Sequence, residues 1–444
     1  MAWGHHSGRR GGFSLRVGMA HLFNLKNTLI AFSPDPDYAA LQSGELCPWR
    51  FRQDMTSQKI FHRDFVLAFF AQFAISFVVC LLIPTLPIHL SRSGSTEVEI
   101  GVLIGVLGFA SLILRPPVGK ALLRIPERSF MIAGGLLFAV ASAAYIWAPP
   151  FWPFLVVRIL QGVGVGLFYT ASVTLAANIS PEARRGQSLS YFFLSFNIAF
   201  ALAPTVGMLL MDTFNMTVLF VVCAALAFSS LFISIRLTRR TIDPAERSSS
   251  QEDSFFSRES LPPAFINFLA HIIWGALTAF FPLYALHCGF TNPGLFFAAS
   301  AMMLVAGRSL GAKIQDRYSR GKVILPCLLI FAGSMVVLAF STTFPMIMLV
   351  AILWGIGSAF LFPALVLLAL DLAGPSRGPA MGTFTAFQDL GIGLGPIIMG
   401  VVLHLTSFRT TFLSLALVGF ISVIYLHFFV RRHPSFPLPQ GEEI

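Results

Sequence analysis

The chain has 444 residues, of which 56% are hydrophobic and only 11% are charged, whereas an ordinary soluble domain is about 25% charged. Its formal net charge is +10. This composition excludes a soluble enzyme and a disordered chain, and no basic patch with interleaved aromatic residues supports binding to nucleic acid. A polytopic membrane protein remains.

Residues 1–63 precede the first apolar run and differ from the rest of the chain. They contain paired His, Arg and Gly residues and a Pro-Asp-Pro-Asp sequence at 34–37, but no apolar stretch long enough to cross a bilayer. We expect a disordered or loosely attached cytoplasmic extension. The alternative is that translation starts at Met55, just before the membrane domain.

Twelve apolar runs follow, each close to the roughly 20 residues that a membrane-spanning helix needs. Lipid offers the backbone no hydrogen-bond partner, so each run must be helical. We therefore predict an all-α membrane protein with twelve transmembrane helices. The predicted spans are 65–88, 98–114, 130–148, 153–177, 188–210, 216–235, 263–285, 294–312, 323–341, 346–370, 380–403 and 411–430.

One connection between the spans is long, charged and rich in Ser, which is typical of a flexible linker. It separates six spans from six. The predicted domains are a six-helix bundle at 64–235, a cytoplasmic linker at 236–261, a second six-helix bundle at 262–430 and a cytoplasmic tail at 431–444. Lys and Arg residues gather in alternate connections, and the other connections hold only Arg92 and Arg409. This positive-inside bias predicts that both termini are cytoplasmic, and we expect a bacterial inner (plasma) membrane.

The two halves of the membrane region repeat. A shift of 193 residues aligns Arg115 with Arg308, Gly162 with Gly355 and Gly164 with Gly357, and a shift of 192 residues aligns Asn197 with Asp389 and Pro204 with Pro396. Both halves have the same number of spans in the same orientation, so we predict parallel, pseudo-symmetric bundles related by an axis along the membrane normal. Such bundles enclose a central cavity that suits alternating access.

Three local patterns carry the polar residues of the spans. Arg115 and Gly119 follow span 2. Arg308, Asp316 and Arg317 lie at and just after the end of span 8. Span 4 contains Arg158-Ile-Leu-Gln161-Gly162-Val-Gly164, and spans 5 and 11 contain Asn197 with Pro204, and Asp389 with Gly395-Pro396. Over residues 64–430 the chain resembles the major facilitator superfamily, and its glycine- and proline-rich span 5 and span 11 elements are similar to those of the drug/proton-antiporter-like efflux branch.

The resemblance implies a latch on the cytoplasmic side. The family pattern G-x-L-A-D-R-x-G-R-R has Leu123 at its Asp position after span 2, whereas Asp316 keeps the carboxylate after span 8. Family latches join span 2 to span 11 and span 8 to span 5. The implied latch residues are Asp316, Arg317, Arg115, Gly119 and Arg308. The alternative is that the basic residues only determine topology.

Span 4 places a charge inside an apolar run. An intramembrane charge is costly, so Arg158 is a candidate for substrate contact or coupling; the alternative is that its side chain snorkels to the outer interface. Gly162 and Gly164 sit within lipid and follow no strand, so they indicate close helix packing. Pro204, Gly395 and Pro396 indicate bent, closely packed helices in the same way.

Proton coupling needs a group that changes its charge. Asp389 is the only carboxylate well inside a predicted span, and it is our first candidate; the alternative is a helix–helix hydrogen bond, since its repeat equivalent is Asn197. His271 is the second protonatable candidate. In the family, spans 1, 4, 7 and 10 line the cavity, which adds Gln72, Gln161 and Asn267 to the predicted substrate or coupling residues. Asn197, the polar equivalent of Asp389 in span 5, completes the set.

We predict a secondary active transporter that moves a small solute by alternating access, with proton-coupled efflux as the expected direction. An importer or facilitator of a sugar or organic metabolite is the alternative, and a non-transporting membrane sensor is a remoter one. The chain contains no HExxH, GxGD or Walker A sequence, so an enzyme or an ATP-driven pump is not expected. We expect no cofactor or metal, no nucleic-acid partner, and a monomer that interacts with solute, protons and lipid.

Overall fold

The structure is a computed structural model that describes residues 60–149, 151–181, 184–238, 257–373 and 377–430. For residues 309–317, 377–378 and 429–430 it describes the backbone alone. Most of the predicted N-terminal extension, with Met55, most of the predicted linker and the predicted tail lie outside the described residues.

The described residues form twelve α-helices and no strand. Eleven of these helices are long and apolar enough to cross a membrane; the described apolar part of the remaining one, Gly294–Arg308, is shorter. The prediction of an all-α membrane protein is confirmed. The helices are α1 (Arg63–Arg92), α2 (Glu97–Leu122), α3 (Glu127–Ala144), α4 (Trp152–Asn178), α5 (Arg185–Thr213), α6 (Met216–Ile235), α7 (Leu261–His287), α8 (Gly294–Arg317), α9 (Arg320–Ala339), α10 (Phe344–Ala373), α11 (Arg377–Leu405) and α12 (Phe408–Tyr425), followed by a π-helical turn at Leu426–Val430.

Several helices end away from the predicted span ends, and α2 and α3 illustrate the physical reasons. Helix α2 continues through Pro116 and Pro117 to Leu122, because a helix can continue past the apolar run into a polar connection. Helix α3 ends at Ala144 rather than 148 and passes into a turn. Two prolines follow this turn at 149–150, and the residue before a proline is disfavoured in the helical conformation.

Helix packing repeats between the two halves. In the first bundle α1 packs on α5 and α6, α4 packs on α2 and α3, and α3 packs on α6. The same pairs recur six helices later, as α7 with α11 and α12, α10 with α8 and α9, and α9 with α12. The bundles meet where α2 packs on α11, α5 on α8, and α1 on α7. The predicted pseudo-symmetric pair of six-helix bundles is therefore confirmed.

Glycines allow α2 and α11 to approach closely. A Cβ atom added to Gly101 would collide with the carbonyl oxygen of Pro396, and one added to Gly105 would collide with that of Gly393. A Cβ atom on Gly108 would lie 3.0 Å from the backbone nitrogen of Gly393. Small residues at a helical spacing let two backbones come into contact in this way, so α2 and α11 form one of the tight interfaces between the bundles.

The described contacts of α2 with α11 differ between the two ends of these helices. We call the end where α2 meets α3 and α6 meets α7 the linker side, and the end where α1 meets α2 the far side. On the far side, Glu97 Oε2 lies 3.0 Å from His404 Nδ1, which connects α2 to α11. On the linker side, a Cβ atom added to Gly119 would meet nothing within 4 Å. Helices α2 and α11 therefore pack most tightly in their far halves.

Candidate functional site

An ion pair crosses the interface between α2 and α11. Arg115 Nη2 donates to Asp389 Oδ1 at 3.0 Å, and Arg115 Nε contacts the other carboxylate oxygen. The Asp389 side chain is 6% exposed and that of Arg115 is 31% exposed. Asp389 lies about 18 Å along α11 from its start at Arg377, which is near mid-depth. The predicted coupling carboxylate and a predicted latch residue thus form one unit.

The geometry of the two helices explains how this pair forms. Side chains on a helix point toward its N-terminus, so Arg115 reaches back along α2 toward the level of Gly108. A Cβ atom added to Gly108 would lie 3.1 Å from the Asp389 carbonyl oxygen, which places that part of α11 beside the α2 backbone. When Asp389 is ionised the pair joins the bundles, and when it is protonated the attraction between full charges is lost.

A buried polar cluster connects α1 with α4. Ser172 Oγ donates to Gln72 Oε1 at 2.6 Å, Gln72 Nε2 donates to Ser76 Oγ at 3.3 Å, and Ser76 Oγ lies 2.7 Å from the Tyr169 hydroxyl. The predicted residue Gln72 is therefore part of a hydrogen-bonded cluster between α1 and α4.

Arg158 and Gln161 lie inside the first bundle. Arg158 Nε donates to the Leu103 carbonyl oxygen and Nη1 donates to Gln161 Oε1, both at 2.9 Å. The Tyr145 hydroxyl donates to the same Gln161 oxygen at 2.7 Å. Arg158 is 6% exposed and Gln161 is fully buried, so Arg158 does not snorkel and neither residue lines an open cavity in this conformation.

The remaining polar candidates lie on α7 and α5. Asn267 Nδ2 donates to the Phe384 carbonyl oxygen of α11 at 3.1 Å. His271 Nδ1 lies 2.8 Å from the Asn267 carbonyl oxygen, and its ring packs edge-on against Phe362 of α10. Asn197 is half-buried and makes no hydrogen bond within the described part of the chain. These three residues are not brought into one site with Asp389 by any described contact.

The glycines of the predicted packing motifs lie at helix–helix contacts. A Cβ atom on Gly162 would lie 2.7 Å from the Leu107 carbonyl oxygen of α2, and one on Gly164 would lie 2.9 Å from the Phe138 backbone nitrogen of α3. A Cβ atom on Gly395 would collide with the α7 backbone. Substitution of these glycines would therefore separate α4 from its neighbours or α11 from α7.

The second predicted latch lies largely outside the described side chains. Asp316 and Arg317 belong to the backbone of α8, but their side chains are not described. Arg308 is partly buried, and its Nε atom has no hydrogen-bond partner among the described residues. A Gly-x-Ser-x-Gly sequence at 307–311 lies within helix α8 and lacks the strand-to-helix turn of a nucleophile elbow.

Sequence reasoning did not connect Ser76 and Ser172 with the site. A signal was available, because Gln72 and Ser76 are four residues apart on α1, and Tyr169 and Ser172 are three apart on α4. Such spacings place side chains on one helix face. Two facing polar stripes on spans 1 and 4 could have been recognised as a cluster.

Two like-oriented six-helix bundles, joined by an ion pair at a closely packed interface, define a membrane transporter that works by movement of one bundle against the other. The chain matches the Major Facilitator Superfamily over residues 68–314 and again over 264–443. It therefore belongs to this family, whose members are transporters and not enzymes.

Individual relatives cover most of the chain. It is 25% identical to the staphylopine export protein of Staphylococcus aureus over 78% of this chain and 90% of that protein. It is 24% identical to the quinolone resistance protein NorA of Staphylococcus aureus over 77% of this chain and 90% of that protein. The crystal structure of the nucleoside transporter NupG superposes with a TM-score of 0.69 at 13% identity, over 83% of this chain and 100% of that chain, which shows a shared fold.

Proposed function

We propose that this protein exports a small solute in exchange for protons, and that Asp389 is the group that takes up and releases the proton. The observation that carries the proposal is the ion pair between Arg115 and Asp389 across the α2–α11 interface. A carboxylate that is nearly buried at mid-depth, and that also joins the two bundles, ties its protonation to their separation.

The ion pair gives the two protonation states different structural preferences. Ionised Asp389 attracts Arg115 and favours contact between α2 and α11. Protonated Asp389 can still accept a hydrogen bond from the Arg115 guanidinium, but it no longer presents a negative charge to that cation, so the attraction is weaker. Proton uptake therefore favours separation of the two helices, and proton release favours their return to the packed state. A cycle of this kind couples proton movement to the motion of the bundles.

The outward direction is supported by the relatives. One is named for staphylopine export and another for quinolone resistance, and both descriptions are of proteins that remove a compound from the cell or protect the cell against it. Import or facilitated uptake of a sugar or organic metabolite is the competing function, because the same ion pair would serve a transporter working in either direction.

We infer that the protein works as a monomer in a bacterial inner membrane, with both termini in the cytoplasm. The alternation of basic residues between connections supports this orientation, because the linker side carries the basic connections. The two bundles of one chain supply both surfaces of the interface, so a second copy is not needed to complete it.

The test is solute-driven proton movement across the membrane of proteoliposomes with a trapped pH-sensitive dye. A quinolone antibiotic is the first probe, since one relative is named for quinolone resistance, and succinate is the second. We expect solute addition to move protons in the direction opposite to that of the solute. We also expect an ionophore that collapses the pH gradient to abolish solute accumulation.

Asp389→Asn keeps the side-chain shape but removes the proton site. We expect this variant to insert and to bind solute, yet to lose gradient-driven accumulation. Asp212→Asn is the matched control, because it makes the same change at an exposed carboxylate in the last turn of α5 and should leave gradient-driven accumulation unchanged. Solute flux that is unaffected by collapse of the gradient, or full activity of Asp389→Asn, would contradict proton coupling at this residue.

A further inference from the structure

The second interface between the bundles carries a cation for which the described residues supply no partner. Arg308 of α8 is the repeat equivalent of Arg115, and its Nε atom is buried with no hydrogen-bond partner in the part of the chain that is described. Asn197 of α5 is the repeat equivalent of Asp389. It is half-buried and likewise makes no described hydrogen bond. The arrangement that holds an ion pair at the α2–α11 interface thus lacks its carboxylate at the α5–α8 interface.

The two interfaces have the same register. At the first, a Cβ atom on Gly101 would meet the carbonyl oxygen of Pro396. At the second interface, a Cβ atom added to Gly294 would lie 2.7 Å from the carbonyl oxygen of Pro204. Gly294 follows Gly101 by 193 residues and Pro396 follows Pro204 by 192, which are the offsets that relate the two arginines and the Asn–Asp pair. The contact at each interface is therefore made by equivalent residues of the two halves.

Arg308 lies on the face of α8 that packs against α5. Phe297 of α8 contacts Phe200 of α5, with ring centroids 5.9 Å apart. Arg308 follows Phe297 by eleven residues, which is three helical turns and about 20°, so both lie on the same face. Arg308 also lies about 21 Å along α8 from Gly294, on the linker-side half of the helix.

Among the described side chains, three arginines within the helices differ in how their charge is compensated. Asp389 compensates Arg115, and Arg158 is satisfied by the Leu103 carbonyl and by Gln161. Arg308 has no such compensation among the described residues. An unpaired charge within a bilayer is costly, and charged residues in spans mark substrate or ion pathways. A guanidinium presents a planar pair of donors that matches a carboxylate or phosphate.

We propose that Arg308 binds an oxyanion group, a carboxylate or a phosphate, of the transported solute, and that Asn197 donates a second hydrogen bond to the same group. The solute takes the place that Asp389 occupies at the other interface. This proposal rests on the transport function proposed above and names the class of solute. The same oxyanion chemistry is offered by the headgroup of an anionic lipid, which the experiment separates from a soluble anion.

The experiment measures the melting temperature of the full-length purified protein in a neutral detergent. Succinate and inorganic phosphate are the soluble probes, succinamide is the uncharged control, and sodium chloride matches the ionic strength. Phosphatidylglycerol is added in a separate arm. We expect the soluble anions, and not succinamide, to raise the melting temperature of the wild type.

Two variants test the site from opposite directions. Arg308→Gln removes the cation, and we expect at least a tenfold weaker apparent affinity for the anion, about the effect of losing a charge-assisted hydrogen bond. Asn197→Asp supplies the missing carboxylate; it should raise the melting temperature without ligand and abolish the effect of the anions. Arg236→Gln is the matched control, because it removes an arginine just beyond the linker-side end of α6 and should leave anion binding unchanged.

The proposal is overturned if no soluble anion stabilises the wild type, if Arg308→Gln keeps the full effect, or if only phosphatidylglycerol stabilises the protein. The binding measurement uses no gradient and no flux. Loss of anion binding with intact proton-driven transport would therefore refute this site alone, and intact anion binding without proton-driven transport would refute the proposed coupling alone.

Discussion

Exchanging the charges of Arg115 and Asp389 tests whether their ion pair holds α2 against α11. Arg115→Asp places two acidic side chains at the interface, and Asp389→Arg places two cations there. Both single variants should favour separation of the bundles on the far side. The double variant restores one positive and one negative charge across the same interface, and it should restore the packed state.

The size of the effect follows from the burial of the pair. Breaking a buried ion pair by removing one partner costs about 3–5 kcal/mol. The Arg115 side chain is 31% exposed and solvent screens part of its charge, so we expect about 2–3 kcal/mol here. Since 1.4 kcal/mol is a factor of ten, the ratio of packed to separated molecules should fall by about 30-fold to 140-fold.

The assay measures the distance between spin labels at Ser93 and Thr406, in a background without the five native cysteines. Both positions are exposed, and they lie in far-side connections of different bundles. The single variants should add a population at longer distance, and the double variant should return to the wild-type distribution. Single variants that keep the wild-type distance, or a double variant that stays separated, would refute the idea that the pair controls the interface.

Three further predictions use the same labels or thermal unfolding. Gly105→Leu should prevent α2 from packing on α11, because a Cβ atom at this position collides with the opposing backbone. The distance between the labels should therefore increase. Gly119→Leu is the control and should leave this distance unchanged, because a Cβ atom there meets nothing within 4 Å. Arg158→Gln should lower the melting temperature, since loss of the guanidinium leaves buried acceptors unpaired at about 1–3 kcal/mol; an unchanged melting temperature would show that the contacts of Arg158 are not structural. Glu97→Gln should shift the label distances little, because an exposed ion pair contributes below about 1 kcal/mol, and a shift as large as that of Arg115→Asp would be unexpected.

The sequence was sufficient to predict the helices and their repeat. The length of the apolar runs, the positive connections and one repeated offset predicted twelve helices in two equivalent bundles. It could not fix where helices end outside the lipid, as α2 and α3 show. Apolar character marks the part of a helix that lies in hydrocarbon, but a helix continues or stops according to its caps, prolines and neighbouring turns.

The side-chain partners were harder to predict than the helices. Arg115 and Asp389 were each identified, but as members of two different sites. Helices that are apolar on every side carry little information about which face meets which neighbour, and a contact across 274 residues of sequence depends on tertiary packing. For the same reason Arg158 and Gln161 were expected to line the cavity, whereas their partners lie within the first bundle.

The difference between the two interfaces suggests why exchange would be obligatory. A carrier that couples two solutes must hinder its own motion when it carries neither. With Asp389 ionised, the ion pair keeps α2 on α11, so the unprotonated carrier is held at the first interface. Arg308 has no counter-charge among the described residues, so closing the linker-side half of the α5–α8 interface without solute would bury its cation alone. The empty carrier is therefore hindered at this second interface as well. The matching backbone registers place Asp389 in one half where Asn197 lies in the other. Under the proposed roles, Asn197→Asp should therefore slow exchange by making both interfaces respond alike.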